Sequence, residues 1–135
     1  MSVNNEGDTI ENKVTSNTTL VTLDLETYYP ETDLIGFDIK PFLFKEMILK
    51  EKDFREALKN LDWTPYEKKA VYIYCSTEAI IPMWAYMLVA KYLSPISEKF
   101  IFGDKNHIVE NLMLQKIQNI DFQEFKDKKV LVKGC

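Results

Sequence analysis

Val71-Tyr72-Ile73-Tyr74-Cys75 is apolar throughout, and the charged run Glu67-Lys68-Lys69 stands just before it. An unbroken apolar run of this length, bounded by charge, reads as a buried parallel strand. Pro82 comes next. Proline is favoured at the first position of a helix and excluded from its interior. Residues 76–81 therefore read as a loop and residues 82–93 as a helix, stopped by Ser94-Pro95. Lys99-Phe100-Ile101-Phe102-Gly103 reads as the following strand. Ile108, Leu112, Met113 and Ile117 stripe the next helix, with Asp104 or Asn106 as its cap. Lys129-Val130-Leu131-Val132-Lys133 is the last strand. The order strand, helix, strand, helix, strand predicts an α/β fold with a mostly parallel sheet and right-handed crossover helices.

Upstream, Leu20-Val21-Thr22-Leu23-Asp24-Leu25-Glu26 alternates apolar and polar residues, and Ile35-Gly36-Phe37-Asp38-Ile39 repeats the alternation. Both read as strands, and these N-terminal strands are expected to be antiparallel. The apolar segment over residues 43–49 is read as a third strand. Asp53-Phe54-Arg55-Glu56 has the pattern of a capping box, and Phe54, Ala57, Leu58 and Leu61 give its helix an apolar stripe. Residues 1–17 are polar and rich in Asn, Glu and Thr, and read as a flexible tail. Residues 18–135 read as a single α/β domain.

The helix over residues 82–93 is apolar on nearly every side. A helix of that kind is buried by the sheet and by another layer or subunit. It is the expected surface for a homodimer or another protein partner.

Two stretches resemble each other. Leu61-Asp62-Trp63-Thr64-Pro65-Tyr66-Glu67-Lys68-Lys69-Ala70-Val71-Tyr72-Ile73 aligns with Ile120-Asp121-Phe122-Gln123-Glu124-Phe125-Lys126-Asp127-Lys128-Lys129-Val130-Leu131-Val132. Apolar and aromatic positions coincide, and so do the Asp and the charged run. This points to a duplicated helix-to-strand unit. The first copy continues into a loop and helix, whereas the second stops at Gly134-Cys135. The natural protein is therefore expected to carry a further helix and strand.

The chain has 135 residues, 46% hydrophobic and 28% charged, which suits a soluble globular domain. Lys+Arg number 17 against 21 Asp+Glu, a net charge of −4 that argues against general nucleic-acid binding. No apolar run approaches the roughly 20 residues of a membrane span. No apolar signal core opens the chain. A cytoplasmic protein is expected, with neither nucleic acid nor membrane as partner.

Catalytic signatures are sparse. The four glycines form neither a dinucleotide fingerprint nor a P-loop. No nucleophile-elbow spacing supports a triad. Cys75 and Cys135 end two predicted parallel strands, at the edge where doubly wound sheets bind ligands. They are candidate metal or redox residues, set against the plainer reading of reduced thiols serving as small hydrophobes. The loop opening with Cys75, Ser76, Thr77 and Glu78 is the candidate ligand site, offering hydroxyls, a carboxylate and free amides before a helix N-terminus. His107 reads as a surface residue, and Asp24 with Glu26 as the wet face of an edge strand. No cofactor follows from these residues.

Leu23-Asp24-Leu25-Glu26 with Tyr29-Pro30, Phe37-Asp38-Ile39-Lys40, Asp62-Trp63, Cys75-Ser76, Pro82, Trp84-Ala85-Tyr86-Met87-Leu88, Phe102-Gly103-Asp104 and Val132-Lys133-Gly134-Cys135 together carry a family resemblance. The chain resembles the uncharacterised Bacteroidota family known as domain of unknown function 2480, over roughly Val14 to Cys135. The resemblance implies a longer chain, continuing past Cys135 with a second Pro-containing helix and a final strand. It implies no established activity, and a gene neighbourhood of iron–sulfur cluster assembly. The reading that follows is a non-catalytic accessory or binding protein linked to iron–sulfur assembly. The alternative is a small-molecule enzyme or metal-binding module using residues 75–81.

Overall fold

The computed structural model describes residues 20–134. The expected tail over residues 1–17 lies outside them. Contacts divide the chain into two compact units, one of residues 30–114 and one of residues 1–29 with 115–135.

The larger unit is built on a three-stranded parallel sheet in the order β2-β3-β4, with β2 Leu34–Asp38, β3 Ala70–Tyr74 and β4 Lys99–Phe102. β3, the apolar run, is the central strand. Its register against β2 sets Phe37 opposite Ile73 and Asp38 opposite Tyr74. Against β4 it sets Ile73 opposite Phe102. Helix α1, Glu51–Asn60, joins β2 to β3, and helix α2, Met83–Leu93, joins β3 to β4. Parallel neighbours require such crossovers.

One side of the sheet packs on the core. Phe37, Ile39, Leu43, Phe54, Leu58, Val71, Ile73, Ala85, Val89 and Leu93 form one buried cluster. The Phe37 ring stacks between Phe42 and Trp63, each 5.4 Å away, and Trp63 stacks on Tyr92 at 5.1 Å. The Trp63 indole donates to the Leu58 carbonyl at 3.0 Å, so its one polar atom is satisfied. On the other side, Tyr72 and Tyr74 lay their rings over Gly36. A Cβ there would stand 2.6 Å from Tyr72 and 2.9 Å from Tyr74.

Three expectations need correction. The N-terminal strands are not antiparallel: β2 pairs with β3, and β1, Leu20–Asp24, pairs with β5, Lys129–Lys133, both in parallel. Residues 25–33 hold a 3-10 turn over Leu25–Tyr28 and then Pro30, so they form no tight hairpin between β1 and β2. The third strand over residues 43–49 is absent. In its place Phe44 and Ile48 form one antiparallel bridge around a turn, with Lys45 and Glu46 at φ 51° and 62°. Leu43 is buried, while Phe44, Met47 and Ile48 are exposed, so the run lacks a strand's alternation. The capping box also fails. α1 starts at Glu51, with Lys50 at its cap position and Asp53 already inside its first turn. Acids there still favour the helix through its dipole. The apolar stripe holds, with Phe54 and Leu58 fully buried.

α2 opens at Met83, with Pro82 as its extended N-cap rather than its first helical residue. Ala85, Val89, Ala90 and Leu93 are buried, while Met83, Met87 and Lys91 remain exposed. The helix is therefore covered on every side but one. Helix α3, Lys105–Gln118, is capped by Asp104, whose side chain accepts from the His107 amide at 3.0 Å.

In the smaller unit, β1 and β5 form a two-stranded sheet, with Leu20 opposite Lys129 and Asp24 opposite Lys133. Every residue of β5 is exposed.

The internal repeat is visible in the backbone. The Asp62 side chain accepts from the Thr64 amide, a 3-10 turn spans Thr64–Tyr66, Lys68 sits at φ 60°, and β3 begins at Ala70. Correspondingly, Asp121 accepts from the Gln123 amide, a turn spans Phe122–Phe125, Asp127 sits at φ 61°, and β5 begins at Lys129. Each copy's strand pairs in parallel with a strand upstream in the sequence.

Candidate functional site

In an open parallel sheet the strand carboxyl ends gather the loops that bind ligands. At this edge of the larger unit, β2 ends in Asp38, β3 runs out through Cys75 and Ser76, and β4 gives way to Gly103 and Asp104.

Asp38 organises the edge. Its Oδ2 accepts from the Ser76 hydroxyl at 2.6 Å. Its Oδ1 accepts from the Ser76 amide at 3.0 Å and from the Lys40 amide at 2.9 Å. Burial by itself would raise the Asp38 pKa. The hydrogen bonds from Ser76 and Lys40, with the Lys40 charge, outweigh it and hold the carboxyl below its ordinary value. The clamp ties β2 to the exit of β3 and fixes where the loop over residues 76–81 departs.

Ser76, expected as a ligand residue, thus spends its hydroxyl on Asp38. Cys75 is half-buried and packs against the core cluster. It lies near Tyr86 of α2, whose phenol is pushed up in pKa by burial and then by the neighbouring thiol. Thr77 is half-buried and Glu78 exposed. Cys135, the other expected metal residue, lies outside the described residues. The repeat equates Tyr74 with Lys133, so in sequence Cys135 matches Ser76, and Cys75 matches Gly134. The two cysteines do not occupy equivalent positions. Among the described residues, no group of three or more His, Cys, Asp or Glu side chains is placed to hold a metal ion.

Beyond β4, Gly103 adopts φ 145°, and the His107 ring lies against it, 2.8 Å from where a Cβ would stand. His107 Nδ1 is 2.8 Å from Asp104 Oδ1 and 3.2 Å from the Asp104 amide. A single ring nitrogen cannot donate to one and accept from the other. The contact with the carboxylate is the shorter of the two. The Asp104 pKa falls, chiefly through the His107 amide hydrogen bond. Both side chains are exposed, so this pair serves as the cap of α3.

Sequence patterns marked Asp104 as a cap, but they gave no sign that Asp38 would clamp Ser76. That contact joins residues 38 positions apart. The one trace was an Asp ending an alternating strand.

Several large apolar side chains near this edge are exposed. Ile80 is 92% exposed, Met83 63%, Met87 56% and Phe102 41%. Tyr86 packs on Phe102 with ring centroids 5.4 Å apart, linking α2 to the end of β4.

A family model described as "Protein of unknown function (DUF2480)" matches residues 8–135. No curated protein and no solved structure matches the chain.

Proposed function

The chain belongs to the DUF2480 family, and from that premise we propose a non-catalytic accessory or binding protein that docks another protein through the bare side of α2. One observation carries the reading: Met83 and Met87 are large apolar side chains left exposed on a helix whose other sides are covered, and Ile80 in the loop before it is exposed as well. Large apolar side chains exposed on one side of a helix suit an interaction site. Methionines suit it, because their unbranched, polarisable side chains adapt to a partner's shape.

The setting we assign is the cytoplasm of a Bacteroidota cell, in support of iron–sulfur cluster assembly. The use of only two cysteines, in no disulfide-like or metal-like spacing, supports the first part. The family resemblance alone supports the second. Among the described residues no helix is long and apolar enough to cross a membrane. The test is affinity capture from the source cell under anaerobic conditions, comparing the wild-type chain with Met87→Glu. Assembly proteins retained by the first and lost by the second support the reading. Identical retention by both removes it.

A second reading uses residues 75–81 as a small-molecule or metal site. Its support is the half-buried Cys75 thiol at the ligand edge of a central parallel strand. It predicts a Cys75 thiol that alkylates in the native protein. Alkylation only after unfolding ends it.

A further inference from the structure

We draw no further inference here: the strongest candidate, the apolar surface of β5 where Val130, Leu131 and Val132 are exposed, carries nothing because nothing in the structure shows what covers it.

Discussion

Asp38 accepts three hydrogen bonds with two oxygens, and the clamp works only while the carboxyl is ionised. Its folded pKa lies below the unfolded value of about 3.9. The stability it contributes is therefore fully present above that unfolded value and is lost as pH falls through the lower, folded one. Asp38→Asn should melt below wild type at pH 7. The gap between the two melting temperatures should close as pH falls below about 3.9. Melting curves across that range check it, and a gap independent of pH would show that the charge is irrelevant to the clamp. Gly36 poses a steric question of the same size. Tyr72 and Tyr74 occupy the space its Cβ would need. Gly36→Val should lift both rings and cost about 1–3 kcal/mol, read by denaturant titration.

Elements with local signatures were legible in the sequence. β3 announced itself by an apolar run, α2 by its proline, and α1 by the spacing of Phe54 and Leu58. The repeat was legible too, because its turn chemistry recurs with its hydrophobic pattern. What escaped depends on distant partners. Alternation marks a strand without saying which neighbour it takes, so the parallel pairing of β1 with β5 was hidden. The same holds at the candidate site, where Ser76 is spoken for by a residue on another strand. The turn at Lys45-Glu46 misled because apolar content stood in for alternation. Two consecutive non-glycine residues at positive φ are costly, and such turns favour Asn-Gly. Lys45→Asn with Glu46→Gly should therefore raise the melting temperature by a few degrees, about what 1 kcal/mol gives in a domain of this size. A drop would mean that the Lys40–Glu46 ion pair or the Lys45 contact with Phe44 outweighs the backbone strain. In α1, Leu58→Ala empties a fully buried position and should cost about 2–5 kcal/mol, again by denaturant titration.

Across the whole chain, the two copies of the repeat share a backbone plan and differ in how much surrounds them. β3 has a strand on each side and core packing on one face; Ala70, Val71 and Ile73 are fully buried. Among the described residues β5 has β1 on one side and no strand on the other, and Val130, Leu131 and Val132 are exposed. Exchange of backbone amides reports the free energy of opening each segment, which scales with the apolar contacts and flanking hydrogen bonds that opening breaks. The amides of Val71, Tyr72 and Ile73 should therefore exchange only through opening of the three-stranded sheet, at the slow end of the range. Those of Val130, Leu131 and Val132 should exchange through local fraying of a two-stranded ribbon, which is marginal in water by itself. A difference of several powers of ten is expected between the two strands at neutral pH, since each 1.4 kcal/mol of opening free energy is about ten-fold in rate. Equal protection would mean that β5 is buttressed as heavily as β3, and that its exposed apolar residues are covered in solution. That outcome would move the search for a partner surface from α2 to β5.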